Sequence, residues 1–189
     1  MGRQIVLLRG VNLGSRNRVA MPKLREALAD AGFNDVRTYL QSGNVVLSSR
    51  ATPERVAHKC KRAIADRFGL DIDVVVRTRA ELARVVKRNP LGDIAVNPKR
   101  YQVSFLAAKP NRRILSKLEE AAIPSERFVL VGRELYAWHP DGVGRSKLGA
   151  LLAGPALGVT ATARNWATVT RLLALADEES PLRATGSRA

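Results

Sequence analysis

The sequence predicts an α+β protein made of two ferredoxin-like halves, a duplicated split βαβ arrangement joined by a helical linker. Short strand-like runs alternate with helical periodicity in the order β-α-β-β-α-β, and the order begins again near Tyr101. Apolar residues make up 46% of 189 residues, enough for a packed core. The expected divisions are 1–78 for the N-terminal half, 79–99 for the linker, 100–176 for the C-terminal half and 177–189 for a flexible tail.

In the first half, each element has a local signal. The apolar run Gln4–Leu8 predicts the first strand, and 21–31 has apolar residues at helical spacing before Gly32 ends the helix. Thr52 and Pro53 predict the cap and the first residue of a second helix. That helix is expected to end at 68, with Gly69 as the stop, and the other strands are expected at 36–40, 44–48 and 72–77.

The second half repeats this order. A helix over 79–88 ends before Pro90 and belongs to the predicted linker. Asn165 is predicted to cap the last helix, because its side chain can accept a hydrogen bond from a free amide of the first turn. Strands are expected at 101–107, 128–131, 134–138 and 159–163, and helices at 111–122 and 146–152.

The loop Arg9–Arg18 has the composition of an anion-binding segment. Its two glycines permit backbone conformations with positive φ, and its arginines supply planar, permanently charged donors. The helix that follows adds free amides at its N-terminus. The alternative is a long structural turn whose arginines are solvated.

Topology predicts which loops meet. A βαβ crossover makes the first two strands parallel, so the Arg9–Arg18 loop and the turn 41–44 follow strands that end at one edge of the sheet. The same argument places 141–147 beside 164–166 in the second half, and packing of the halves would let both edges line one cleft. The predicted anion-binding residues are Arg9, Asn12, Arg16, Arg18, Gln41, Ser42, Asn44, Arg145, Ser146, Lys147, Arg164 and Asn165.

Several of these residues also have a purely structural interpretation. Asn165 is most simply a helix cap, and Trp166 is most simply a core residue at the start of the same helix. Ser146 caps the helix after a glycine turn in the simplest interpretation, although an anion-binding loop is the alternative. The glycine spacing before Lys147 does not match a P-loop, so no ATPase site is predicted.

Composition argues against several other kinds of site. The single Cys60 excludes an internal disulfide and a zinc site built on several cysteines. His58 and His139 lack partners at metal-ligand spacing, so we expect no metal and no cofactor. Apolar runs are too short to span a bilayer and a signal-peptide pattern is lacking, so we expect a cytoplasmic protein without membrane contact.

The net charge of +15, from 32 basic and 17 acidic residues, favours a polyanion or a phosphorylated ligand. The excess is spread along the chain, and most of the basic residues are arginine, which the codon bias of a GC-rich genome would also produce. Only 5% of the residues are aromatic and the central strands of the first half have none, so base stacking of the kind used by RNA-recognition domains is not expected.

Four motifs, taken in order, resemble the bacterial family catalogued as domain of unknown function 1697. The resemblance covers about residues 3–176 and implies a small bacterial cytosolic protein with a duplicated α+β unit. It implies no particular reaction. The motifs are LRGVNLG at Leu8–Gly14, YLQSGNV at Tyr39–Val45, GRSKL at Gly144–Leu148 and ATARNWATV at Ala161–Val169.

The interpretation favoured by the sequence is an anion- or phosphate-binding module with nucleic acid as the leading ligand. One alternative is an enzyme acting on a phosphorylated or acyl-phosphate small molecule. In that enzyme Arg9 or Arg16 would clamp the phosphate, and Asn44 would orient water or stabilise developing charge. The other alternative is a structural scaffold without a ligand. The sequence leaves the oligomeric state and any catalysis open.

Overall fold

The computed structural model describes residues 1–111, 113–153 and 157–178, and it has the expected α+β architecture. Two four-stranded antiparallel sheets and six α-helices lie within these residues. The flexible tail predicted for 177–189 lies outside the described residues beyond Glu178. The elements are β1 (Gly2–Leu8), α1 (Met21–Asp30), β2 (Asn34–Tyr39), β3 (Asn44–Ser49), α2 (Pro53–Phe68), β4 (Val74–Thr78), α3 (Arg79–Arg88), β5 (Tyr101–Leu106), α4 (Arg113–Ala121), β6 (Arg127–Val131), β7 (Glu134–Trp138), α5 (Lys147–Ala153), β8 (Ala161–Asn165) and α6 (Trp166–Asp177).

The two sheets have the same strand order. The first sheet is ordered β2-β3-β1-β4 and the second β6-β7-β5-β8, so corresponding strands hold corresponding places. In each half a helix follows the fourth strand: α3 after β4 and α6 after β8. The segment predicted as a linker therefore contains a helix that has a counterpart at the end of the second half.

Three apolar clusters fix how the layers stack. Successive side chains of a strand point to opposite faces, so β1 serves two of these clusters. Ile5 and Leu7 contribute to a cluster shared between the two sheets, α3 and α6, whereas Val6 and Leu8 pack with α1 and α2 on the other face. A third cluster joins the second sheet to α4 and α5. The continuous apolar run of the first strand reflects this burial on both faces.

Helix ends follow the local sequence signals. The Thr52 side chain accepts a hydrogen bond from the amide of Arg55, Pro53 is the first residue of α2, and Gly69 ends it with a φ of 66°. These three predictions are confirmed. At α3, Thr78 and Glu81 form a capping box, which makes the junction between β4 and α3 a tight turn.

Strand β8 lies two residues later than the sequence predicts, at Ala161–Asn165 instead of 159–163. The hydrophobic pattern of the sequence does not predict these bounds, because Thr162 and Arg164 are polar side chains that are nevertheless only 4% and 9% exposed. Their hydrogen-bond partners include the carbonyl of Leu8 in the other half, so tertiary contacts make burial of these groups possible.

Two buried arginines join the halves by reciprocal contacts. Arg77 of β4 is 1% exposed and donates to the Leu106 carbonyl at the end of β5 (2.7 Å) and to Glu134 Oε1 at the start of β7 (2.8 Å). Arg164 of β8 occupies the corresponding place and donates to the Leu8 carbonyl at the end of β1 (2.7 Å). Such reciprocity is characteristic of an interface between two equivalent partners.

Substitution of Glu134 tests the first of these contacts. Glu134→Ala leaves the buried Arg77 guanidinium without a carboxylate, so we expect the free energy of unfolding to fall by about 3 kcal/mol. Glu26→Ala, which breaks an exposed ion pair with Arg67, should change it by no more than about 0.5 kcal/mol. Urea denaturation measures both. Equal losses in the two variants would contradict a structural role for the Arg77–Glu134 pair.

Candidate functional site

A cleft of about 640 Å³ opens where the two halves meet, and we call it the interface cleft. Its walls are the end of β1 with the following loop, the segment leading into β4, strand β8 and the first turn of α6. The parallel ends of β1 and β2 lie at this edge, as the topology predicts. Four of the predicted anion-binding residues line the cleft: Arg9, Ser42, Arg164 and Asn165.

Arg164 lies in the cleft wall, and its guanidinium hydrogen bonds all go to protein oxygens. Nε donates to Asn44 Oδ1, Nη1 donates to Thr162 Oγ1 (2.7 Å), and Nη2 donates to the carbonyls of Leu8 (2.7 Å) and Ser42 (3.0 Å). Burial lowers the pKa of Arg164 to about 10, so the side chain is still a cation at neutral pH.

The two equivalent arginines differ in their counter-charge. Glu134, which bonds Arg77, is the first residue of β7, and Asn44, which bonds Arg164, is the first residue of β3. None of the hydrogen-bond acceptors of Arg164 among the described residues is a carboxylate. One interface thus contains an ion pair, and the other contains a buried cation with neutral partners.

Acidic residues at the start of β4 lie beside Arg9. Arg9 Nη1 is 3.3 Å from Asp73 Oδ2, and Lys61 Nζ is 2.8 Å from Asp71 Oδ1 and 3.6 Å from Asp73 Oδ1. The sequence analysis missed both aspartates, although β4 runs antiparallel to β1 and its first residue, Val74, pairs with the last residue of β1. Topology alone would have placed them at this edge.

Asn12 fixes the shape of the Arg9–Arg18 loop. It has a φ of 55°, its Nδ2 donates to the carbonyls of Val19 (2.9 Å) and Gln41 (2.7 Å), and its Oδ1 accepts from the amide of Val19 (2.9 Å). Gly10 and Gly14 also have positive φ, of 65° and 59°. Asn12 and the Gln41 backbone therefore join this loop to the turn before β3.

Arg16 and Arg18 lie on the exposed part of the same loop. Neither side chain has a hydrogen-bond or ion-pair partner among the described residues, and a bridge between Leu13 and Arg16 closes the loop tip. Both guanidinium groups are therefore exposed and unpaired within the part of the chain that the structure describes.

Asn44 and Ser42 lie in the wall behind Arg164. Asn44 is fully buried, and its Nδ2 donates to the Tyr39 carbonyl (3.0 Å) and to Ser42 Oγ (2.9 Å) while its Oδ1 accepts from Arg164. Its amide is fully used within the protein, so Asn44 positions Arg164 and presents no group to a ligand.

Asn165 and Gln102 lie at the β8 side of the cleft. Asn165 Oδ1 accepts from the amide of Thr168 (2.8 Å), which confirms its role as the cap of α6. Trp166 stacks on Tyr101 with a ring-centroid distance of 4.8 Å and packs against the shared core. Gln102 was missed by the sequence analysis; its Oε1 is buried and has no hydrogen-bond partner among the described residues.

Arg145, Ser146 and Lys147 are not part of the cleft lining. Ser146 Oγ accepts from the amide of Gly149 (2.8 Å), which confirms helix capping. Its hydroxyl also bonds the Glu126 carboxylate, which lies 2.7 Å from His139 Nδ1. Arg145 and Lys147 are exposed.

Glu126 and His139 form a buried pair, with side chains only 3% and 1% exposed. Burial raises the pKa of Glu126, but hydrogen bonds from His139, Ser146 and the amide of Ile123 outweigh it and hold the pKa below its usual value. The carboxylate is therefore ionised in the folded protein at neutral pH.

Within the described ranges, no three His, Cys, Asp or Glu side chains come together as a possible metal site.

No helix in the described part of the chain is long and apolar enough to cross a membrane.

The family described as "Protein of unknown function (DUF1697)" matches residues 1–136. The chain belongs to this family. The match includes the Arg9–Arg18 loop and the turn before β3, which form one side of the interface cleft. The later motifs of the DUF1697 resemblance, at 144–148 and 161–169, lie beyond the matched residues.

Among solved structures, the DUF1697 chain is similar to the conserved bacterial protein SP0830 from Streptococcus pneumoniae. The TM-score is 0.76 at 18% sequence identity, over 93% of this chain and 99% of that one. At this identity the likeness shows a common fold. The search of curated proteins found no match.

Gly43→Ala tests the close packing behind the cleft. Gly43 has a φ of 71°, and an added Cβ would lie 2.6 Å from Val11 Cγ2 and 2.7 Å from Leu8 Cβ. We expect a loss of about 2–4 kcal/mol in the free energy of unfolding from strain and overlap together. Gly14 also has a positive φ, but an added Cβ would lie in open space. Gly14→Ala should therefore lower the free energy of unfolding by only about 1 kcal/mol. Denaturation curves that give both variants the same loss would contradict this packing.

The Glu126–His139 pair predicts acid sensitivity. Because the folded-state pKa of Glu126 is lowered, the unfolded state takes up its proton first, and this contribution to stability is lost as the pH falls through the folded-state pKa. The wild type should lose more stability than Glu126→Gln between about pH 5 and pH 3, the range in which carboxyl groups titrate. Thermal unfolding at several pH values measures the difference. Identical pH profiles would show that Glu126 does not contribute in this way.

Proposed function

We propose that the interface cleft binds a small ligand that carries a phosphate or another anionic group. The observation that carries this proposal is Arg164, a cation 9% exposed in the cleft wall whose described partners are all neutral. A buried charge is costly unless a counter-charge lies near it. An anion bound in the cleft would supply that counter-charge.

The corresponding arginine in the other half supports this interpretation. Arg77 obtains its counter-charge from Glu134 within the chain. At the equivalent position next to Arg164 the chain has Asn44, which offers the same hydrogen-bond acceptor without the negative charge. The difference leaves the buried Arg164 guanidinium without a carboxylate partner among the described residues.

Direct contacts to the ligand are assigned to other groups, because the nitrogens of Arg164 already donate to protein oxygens. Arg9 is partly exposed, and within the described residues its guanidinium donates only through Nη1, to Asp73, which leaves its other side-chain N–H groups for a ligand. Gln102 also lines the cleft, and its Oε1, which has no hydrogen-bond partner among the described residues, can accept a hydrogen bond from a hydroxyl group of such a ligand. Arg164 then stabilises the bound anion through its charge.

The Arg9–Arg18 loop supplies a second set of donors. Positive φ at Gly10, Asn12 and Gly14 lets the loop fold back on itself, so that Leu13 bridges Arg16. Arg16 and Arg18 are exposed on the same loop and can fold onto a bound phosphate.

The dimensions of the cleft favour a small ligand over nucleic acid. Its volume of about 640 Å³ lies in the range of small-molecule sites. Its exposed wall is not strongly basic, because Arg9 is balanced by Asp73 and Asp71 adds a further negative charge. Nucleic acid remains the second candidate, favoured by the net charge of +15.

The enzymatic alternative needs a group that contacts the reacting atoms. Asn44 does not fit this role, because its amide is buried and bonded to Tyr39, Ser42 and Arg164. Arg9 keeps the phosphate-clamping role in either case. We therefore favour a binding protein over an enzyme. The other alternative, a scaffold without a ligand, predicts that phosphates do not change Tm.

Our proposal for the architecture is a duplicated ferredoxin-like unit with an extra helix in each half. The strand orders β2-β3-β1-β4 and β6-β7-β5-β8, with crossover helices in corresponding places, support it. In this division α3 closes the first half as α6 closes the second. We keep the cytoplasmic location as part of the proposal.

Thermal shift and calorimetry with pyrophosphate and ribose 5-phosphate test ligand binding, with ribose as the uncharged control. We expect the phosphates to raise Tm and ribose to leave it unchanged. Asn44→Asp should weaken phosphate binding by about tenfold or more, because the new carboxylate neutralises Arg164 from within the protein. Arg9→Gln, at a partly exposed residue, should weaken binding without unfolding the protein.

Asn34→Asp is the matched control, because it adds the same charge at an exposed position of β2. It should bind phosphate as the wild type does. A wild type whose Tm responds to neither phosphate would contradict the proposal, and so would Asn44→Asp and Arg9→Gln variants that are folded and bind normally.

A further inference from the structure

A second cavity, of about 280 Å³, lies at the interface that contains the Arg77–Glu134 pair. Its place there corresponds to that of the interface cleft at the Arg164 interface. Its walls are α3, the turn between β6 and β7, and the segment that follows β5. We call it the basic groove. It shares no residue with the interface cleft. The charged residues that line it are Glu81, Arg84, Arg88, Lys109, Arg133 and Glu134.

We infer that the basic groove binds the phosphate backbone of a nucleic acid, through cations from α3 and from the segment after β5. Arg84 and Arg88 lie four residues apart on α3, so they extend from the same side of the helix. Lys109 reaches the groove from the end of β5. All three residues are exposed, and none has an ion-pair partner among the described residues.

The acidic residues of the groove are already committed to other partners. Glu134 Oε1 is 2.8 Å from Arg77 Nε, and Glu81 Oε1 is 3.0 Å from Arg133 Nη2. The acidic groups of the groove are therefore neutralised within the protein. The three remaining cations, Arg84, Arg88 and Lys109, have no counter-charge among the described residues. Like charges held together repel one another, and a polyanion relieves that repulsion while it releases its own counterions.

The form of the groove favours a phosphate chain over a small ligand. Its volume lies below the range of most small-molecule sites, and its free charges lie on exposed side chains around the cavity. The aromatic residue in the lining, Tyr136, is 1% exposed and donates its hydroxyl to the Val85 carbonyl. Base stacking has no platform there, so binding is expected to be independent of sequence.

Fluorescence anisotropy with a labelled duplex and a labelled single strand of about 20 nucleotides, across a salt series, tests the inference. The triple variant Arg84→Ala, Arg88→Ala, Lys109→Ala should lower the slope of log affinity against log salt by about 2 to 3, since each phosphate contact contributes about 0.7 to 0.9. Circular dichroism confirms that the variant is folded.

The matched control removes three exposed cations elsewhere: Lys23→Ala, Arg55→Ala, Lys117→Ala. None of these side chains has an ion-pair partner among the described residues, and both triple variants lose the same charge. The control should change the slope by less than about 1, the value of a single contact. Generic attraction to a basic protein would lower the slope equally in both variants, and that outcome overturns the inference.

Two further outcomes also overturn it. The first is a wild type that does not bind either probe at low salt. The second is binding that is unchanged in the groove variant but lost in Arg9→Gln, which would place the nucleic acid in the interface cleft. The response of Asn44→Asp and Arg9→Gln to pyrophosphate reports on the interface cleft, and the salt slope of the groove variant reports on the basic groove, so failure of one proposal is distinguishable from failure of the other.

Discussion

The interface between the halves depends on two buried guanidinium groups, Arg77 and Arg164. Each lies on the last strand of its own half and donates to the carbonyl that ends the first strand of the other half, Leu106 and Leu8 respectively. A strand end buried at an interface leaves its carbonyl without a ladder partner, and a guanidinium supplies donors in a fixed planar arrangement. The shared apolar cluster between the sheets can form because these polar groups are satisfied. The two halves therefore share a core and polar contacts across their interface.

Equivalent positions in the two interfaces have different chemistry. Glu134 completes an ion pair with Arg77, whereas Asn44 leaves Arg164 with neutral acceptors. The long Arg9–Arg18 loop follows β1, whereas a shorter segment follows β5. One interface opens into a cleft of about 640 Å³ and the other into a groove of about 280 Å³. Two sheets with the same strand order thus meet at one interface that contains an ion pair and at another where the buried arginine has only neutral partners among the described residues.

Much of the fold was predictable because its signals are local. Helix caps at Thr52 and Asn165 and the glycine stop at Gly69 act through neighbouring backbone groups, and all three were predicted correctly. The candidate site was predicted only in part. Topology placed Arg9 and Ser42 at the correct edge, but Asn12 closes its loop and Arg145 lies outside the cleft. Residue type alone does not distinguish a polar side chain that holds a loop from one that faces a ligand.

The sequence by itself determined the order of strands and helices, the capping of the helices, and the grouping of glycine and arginine after the first strand. Periodicity and turn chemistry depend on neighbouring residues, so they can be recognised without the fold. Only the tertiary structure decided that Arg164 is buried against Asn44, 120 positions away in the chain, and that Asp73 and Gln102 reach the same cleft. Whether a charge can be buried depends on the hydrogen-bond acceptors that distant segments of the chain place next to it. A local sequence pattern does not show which acceptors those are.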